Sequence, residues 1–192
     1  ISVLTELQQF SPNTTLQTSR GTNNTLTAFI RGLGQQDPLW GYEPGVGIYV
    51  DDVYIARPQG AVLDLLNVQR IEVLRGPQGT LYGKNTSAGA ISIFTKQPSP
   101  EFEAEGEVTY DNDQRSRLRG MVNVPFGDSG NAMRLSGFTI DGDHLYKNTF
   151  TGEGLNDAKK YGARGRFLFD MEGETSTDGF GDLIITLDYT KE

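Results

Sequence analysis

The chain contains no cysteine, which excludes a disulfide scaffold and thiolate metal sites while leaving the compartment open. It has a single histidine, His144, in a long polar stretch where a lone imidazole is ordinarily solvated. No apolar run reaches the ~18 residues that mark a transmembrane helix. Transmembrane strands stay open, because they need only alternating segments of about ten residues. Basic residues are outnumbered, 17 against 25 acidic, giving a net charge of -8. With no basic patch to override it, that balance argues against nucleic acid as a partner. The first residues carry neither the charged nor the apolar region of a signal peptide, which is expected to have been removed or to lie upstream.

What is present is glycine, 24 residues of 192, together with aromatics, the mixture of short strands joined by turns. The most informative stretch is Ile71–Lys96, IEVLRGPQGTLYGKNTSAGAISIFTK. Ile71, Val73, Ile91, Ile93 and Phe94 make its two ends strand-like, and Gly76, Pro77, Gly79, Gly83 and Gly89 punctuate the middle. It is not a phosphate loop. Such a loop needs Gly, four residues, then Gly-Lys-Ser/Thr, but the position for the first glycine is Gln78, and Asn85 follows Lys84.

Upstream, Val3, Leu4, Leu7 and Phe10 are spaced for one face of a short helix capped by Ser2 and ended by Pro12. Strands are expected over Asn13–Arg20 and Thr25–Arg31. Gly34–Gly45 is broken by Pro38, Pro44 and glycines and holds the only tryptophan, Trp40, beside Tyr42, Gln35 and Gln36. Flat apolar rings with amides on a loop suit ligand contact, although Trp40 packing the loop against a wall is the plainer alternative. Val46–Val50 and Val53–Ala56 flank Asp51-Asp52, the pattern of a two-residue hairpin turn. Turn chemistry accounts for both aspartates without an acid/base or metal role. Arg57, Pro58, Gln59 and Gly60 form a second candidate loop, and Ala61–Leu66 reads as a brief helix.

After Pro98 the pattern changes to strict alternation. Glu103, Glu105, Glu107 and Thr109 alternate with Ala104, Gly106, Val108 and Tyr110, while Leu118, Gly120, Val122 and Val124 alternate with Arg117, Arg119, Met121 and Asn123. Met133–Thr139, Tyr161–Phe169 and the run from Leu183 to Tyr189 repeat it, with Arg134, Arg164 and Arg166 on the polar parity. A soluble sheet with one wet face satisfies this pattern. The gathering of charges on one face favours a barrel whose apolar face meets lipid and whose polar face lines a lumen. A five-residue loop over Asp111–Arg115 aligns the apolar faces and sets Glu107 opposite Arg119.

Three spaced motifs carry a resemblance: Arg75-Gly76-Pro77, Tyr82-Gly83-Lys84-Asn85 and Ala88-Gly89-Ala90-Ile91, preceded in order by FIRG at Phe29–Gly32 and YVDDV at Tyr49–Val53. Together they resemble the plug domain of TonB-dependent outer-membrane receptors. The resemblance implies an α+β plug over 1–98, truncated at its N-terminus, followed over 99–192 by the first five or so antiparallel strands of an incomplete transmembrane β-barrel. It implies active uptake of a large scarce nutrient, a ferric siderophore or similar complex, across the bacterial outer membrane. The implied partners are a TonB-type periplasmic energy-coupling protein, the small-molecule substrate and outer-membrane lipid. Substrate contact is expected at Gln35, Gln36, Trp40, Tyr42, Arg57 and Gln59, and charged plug-to-barrel contact at Arg31, Glu72 and Arg75; Arg31 also reads as a solvated strand end. No catalytic residue, metal site or cofactor is expected. The rival readings are a soluble β-rich binding or adhesion module, and a carbohydrate hydrolase. The hydrolase needs two acids converging in a cleft, whereas Asp51 and Asp52 are turn neighbours that project apart.

Overall fold

The computed structural model describes residues 4–18, 25–35, 43–56, 67–112, 115–127, 130–142, 146–152, 154–155, 158–170 and 182–191. Two compact units divide the chain, Ile1–Lys96 and Gln97–Glu192. The expected helix at Ala61–Leu66, His144, and the loop residues Gln36, Trp40, Tyr42, Arg57 and Gln59 lie outside the described residues.

In the first unit a 3-10 helix, Leu4–Gln9, buries Leu4 and Leu7. Three residues per turn place those two on one edge. Phe10, expected on the same face, follows the last turn and is exposed. Strands β1 (Thr14–Thr18), β2 (Leu26–Ile30) and β3 (Leu33–Gly34) form a three-stranded sheet in that order. Arg31 and Gly32 make the two-residue turn between β2 and β3, both at positive φ, and Arg31 is exposed at its tip.

The second sheet holds β4 (Val46–Val50), β5 (Val53–Tyr54), β6 (Val68–Arg75) and β7 (Gly89–Thr95) in the order β5-β4-β7-β6. The β4–β5 hairpin turns on Asp51 and Asp52 at φ 47° and 65°, the left-handed conformation that aspartate tolerates. Asp51 does more than turn the chain. Its carboxylate accepts hydrogen bonds from the Thr95 N–H (2.8 Å) and hydroxyl (2.7 Å), pinning the end of β7. β4 runs parallel to β7, from Val46 opposite Gly89 to Val50 opposite Ile93. Leu4, Leu16, Leu26, Ile30, Val46, Ile48, Ile91 and Ile93 form the core between helix and sheets.

In the second unit β8 (Glu103–Tyr110), β9 (Arg115–Pro125), β10 (Ala132–Gly142), β13 (Ala158–Phe169) and β14 (Leu183–Lys191) form an antiparallel sheet in the order β14-β13-β10-β9-β8. A two-stranded ribbon, β11 (Tyr146–Lys147) and β12 (Gly154–Leu155), lies between β10 and β13. The strands are longer than alternation alone suggests: β10 and β13 extend to the pairs Asp141–Lys159 and Gly142–Ala158, inside a stretch whose polarity reads as loop. Backbone pairing does not require apolar side chains, so the ladder outruns the pattern. Glu107 stands opposite Arg119, the register required by the five-residue loop. The sheet is two-faced. Val108, Leu118, Leu135, Ile185, Leu187 and Tyr189 are exposed on one side, and the charged side chains occupy the other.

Candidate functional site

The glycine-rich turn of the first unit is built as a closed hairpin end. Beyond the last β6–β7 rung, Gly76 N–H donates to the Ala88 carbonyl and Gln78 N–H to that of Thr86, both at 3.0 Å. A single helical turn, α1 (Gly79–Tyr82), fills the tip, and the Thr86 hydroxyl donates to the Gly83 carbonyl at 2.8 Å. These internal bonds close the turn on itself, which gives it a structural role.

Three tyrosines pack beneath it. Tyr49 of β4 is buried, its ring 5.3 Å from that of Tyr54 and 4.8 Å from that of Tyr82. Its hydroxyl donates to the Tyr82 carbonyl at 2.7 Å. Ser92 donates to the Tyr82 hydroxyl at 3.2 Å, and the Asn85 amide to that of Tyr54 at 3.0 Å. On the outside Lys84 pairs with Glu43 at 2.7 Å, which raises the lysine pKa through the hydrogen bond and the opposite charge. The turn therefore holds Glu43, near the end of the candidate loop with Trp40, and Tyr54, just before the one with Arg57.

Burial first, then the neighbouring Tyr54 and Tyr82, raises the pKa of Tyr49 above that of an ordinary tyrosine. The unfolded chain gives up this proton at lower pH than the folded unit. The stability is therefore intact below about pH 10 and falls as pH rises through the folded pKa. Tyr49→Phe should cost about 1 kcal/mol at neutral pH through the lost hydrogen bond, yet flatten the alkaline decline. Amide exchange of β4 and β7 between neutral pH and pH 11 measures both effects.

On the other side of the sheet, Leu7, Phe10, Ser11, Val68, Arg70, Ile71 and Val73 line an open groove of about 560 Å³. The guanidinium of Arg70 lies 3.7 Å from the centre of the Phe94 ring and bonds Glu72 at 2.7 Å. Arg75 donates to the Ser11 hydroxyl at 3.2 Å. Glu72 and Arg75 thus share β6, whereas Arg31 stands apart on the β2–β3 turn. Of the residues expected to contact substrate, only Gln35 is described; it follows β3 and is half-buried. Among the described residues no group of three His, Cys, Asp or Glu could hold a metal ion. Tyr49, Tyr54 and Glu43 were not singled out by sequence reasoning, because their hydrogen bonds to the turn span 31 to 41 residues of the chain, and no local pattern marks them.

In the second unit the charged face is internally paired. Glu103 meets Arg134 at 2.7 Å, Glu107 meets Arg119 at 2.6 Å, and Arg164 bonds Asp188. The apolar face carries an aromatic pair at each end of the strands, Tyr161–Tyr189 at 6.2 Å and Phe126–Phe169 at 6.0 Å.

Residues 2–90 match the model of the TonB-dependent receptor plug domain. Those residues are a plug domain of the TonB-dependent receptor family. The chain is 36% identical over 131 residues to the pesticin receptor of Yersinia enterocolitica, a match covering 66% of this chain and 18% of that protein. It is 31% identical over 97 residues to the catecholate siderophore receptor Fiu of Escherichia coli K12, covering 50% and 12%. Its structure superposes on the ferric yersiniabactin uptake receptor FyuA of Yersinia pestis with a TM-score of 0.77 at 26% identity, covering 87% of this chain and 26% of that one. The chain thus spans under a fifth of the length of the curated receptors it matches. Its fold is that of this receptor family, a plug followed by antiparallel strands, and its location is the bacterial outer membrane.

Proposed function

We propose that the chain is part of an outer-membrane receptor that actively takes up a large scarce nutrient, a ferric siderophore or similar complex. The observation that carries the reading is the succession of a plug and a sheet with one exposed apolar face and one charged face. Residues 1–98 serve as the plug and 99–192 as the first five or so strands of a barrel. Among the described residues β8 and β14 are the edges of the sheet, and an edge left open in hydrocarbon would cost several kcal/mol per unsatisfied N–H or C=O group, which a closed barrel avoids; plugged transporters have about 22 strands. The aromatic pairs at both ends of the apolar face suit the two membrane interfaces. This is a transport reading and assigns no catalytic residue.

In this reading substrate binds above the plug through Gln35, Gln36, Trp40, Tyr42, Arg57 and Gln59. A TonB-type periplasmic partner then pulls the plug, which meets the barrel wall through Arg31, Glu72 and Arg75. The names of the catecholate-siderophore and ferric-yersiniabactin receptors support an iron-chelate substrate. The test is uptake and binding of an iron-loaded siderophore panel by cells carrying the full-length receptor. Trp40→Ala should weaken binding of the accepted chelate by about tenfold or more. Arg75→Ala should lower uptake with binding and outer-membrane level unchanged. Transport of no member of the panel by the wild type would remove the reading, and a soluble receptor recovered without detergent would favour the binding-module alternative.

A further inference from the structure

The lead-in to the second unit is held by an unusual amount of buried polar structure. Asn123 of β9 is fully buried, at 0% exposure, opposite Glu103 in the last rung between β8 and β9. Its side-chain oxygen accepts the Ser99 N–H at 3.1 Å. Its side-chain nitrogen donates to the Ser99 carbonyl at 2.8 Å, the Ser99 hydroxyl at 3.2 Å and the Glu101 carbonyl at 2.5 Å. The side-chain amide thereby continues the ladder after the backbone rungs end, donating and accepting as a peptide group would. One rung across, Arg134 stands opposite Asn123 on β10, its side chain 4% exposed, and bonds the carboxylate of Glu103 at 2.7 Å. Two buried polar side chains on the second and third strands thus grip the segment Ser99–Glu103. Burying an amide and a guanidinium is costly unless both are bonded, so a sheet needing only stability has simpler apolar solutions.

The gripped segment is also where covalent load arrives. β7 ends at Thr95 and β8 begins at Glu103, so tension on the first unit reaches the sheet through Gln97–Phe102. β8 is an edge strand of the described sheet, and a pull on its N-terminus breaks rungs one at a time. We propose that Asn123, backed by Arg134, is a load anchor that stops such a pull at the chain junction and keeps β8 on β9. Its use in the cell rests on the reading that the plug is pulled during transport.

The test applies the load directly and so needs neither substrate nor the periplasmic partner. The full-length receptor is held in a lipid bilayer and drawn from its N-terminal end. In the wild type, extension should arrest once the first unit is unravelled. In Asn123→Ala the arrest should shift by the length of residues 99–102, about 14 Å at ~3.5 Å per residue. Exchange of the Ser99 N–H in the unloaded protein should rise by about tenfold, while exchange in the middle of β10 is unchanged. Ser99→Pro removes the donated N–H without touching the sheet interior. It is the companion variant if Asn123→Ala does not assemble, and it should lower the arrest load. An unchanged arrest position and load in the variant that assembles would overturn the anchor. Failure of siderophore uptake by the wild type would instead strike the transport reading and leave this result standing.

Discussion

Gly89→Ala is expected to disrupt folding of the first unit, with a loss of at least about 3 kcal/mol. Gly89 opens β7, where that strand pairs with Val46 on one side and Arg75 on the other. A Cβ built there meets the Leu74 carbonyl oxygen at 2.3 Å and the Ile30 Cδ1 at 2.8 Å. The first of these neighbours is backbone, held in the β6–β7 ladder, and cannot rotate away. Ile30 is fully buried in the core, so relief there would displace other packed side chains. The backbone of Gly89 also sits at φ 154°, which L side chains rarely adopt. Gly79→Ala is the matched control. Nothing lies within 4 Å of its Cβ, and its position in α1 suits alanine, so a change within about 0.5 kcal/mol is expected. Amide exchange across β7 in the full-length protein separates the two. Wild-type protection in Gly89→Ala would mean that the β6–β7 ladder is looser than these distances state.

Glu103→Ala should destabilise the sheet by about 2 kcal/mol, more than Arg134→Met does at the other end of the same bond. The asymmetry comes from burial. The Arg134 side chain is 4% exposed and that of Glu103 is 40% exposed. Removing the carboxylate leaves a guanidinium in a poorly solvated place with one charged partner fewer, although its contact with the Met121 sulfur at 3.6 Å persists. Removing the guanidinium leaves a carboxylate that water reaches, and methionine fills much of the vacated volume beside Met121. Glu103 solvation is the reason the loss is set below the 3–5 kcal/mol typical of breaking a fully buried pair. Urea unfolding of the protein assembled in lipid vesicles measures both variants. Equal losses would show that water reaches Arg134 as readily as Glu103.

The features legible in the sequence are those whose causes are local. The Asp51-Asp52 hairpin follows from two residues that accept positive φ between apolar runs, and the structure turns there. The two-faced sheet follows from period-two alternation, and the register of Glu107 opposite Arg119 follows from parity and loop length together. Other features follow from contacts that no local pattern encodes. Asp51 binds Thr95 across 44 positions, β4 lies parallel to β7, and Tyr49 reaches the Tyr82 carbonyl across 33. Asn123 reads in the sequence as one more polar residue on an alternating strand. Its four bonds to Ser99 and Glu101 exist because the segment before β8 folds back beside it.

The sequence by itself determined the family, the plug motifs from Phe29 to Ile91, the change to alternation after Pro98 and the sidedness of the strands. Each depends only on residue type, spacing and backbone preference within a few positions. The tertiary structure decided that the glycine-rich turn is closed on itself, that three tyrosines lock it to β4 and β5, and that Asn123 and Arg134 grip the start of the second sheet. Those depend on which strands become neighbours and in what register. Strand neighbours are chosen by burial summed over a whole sheet, and that sum is written in no single stretch of the chain.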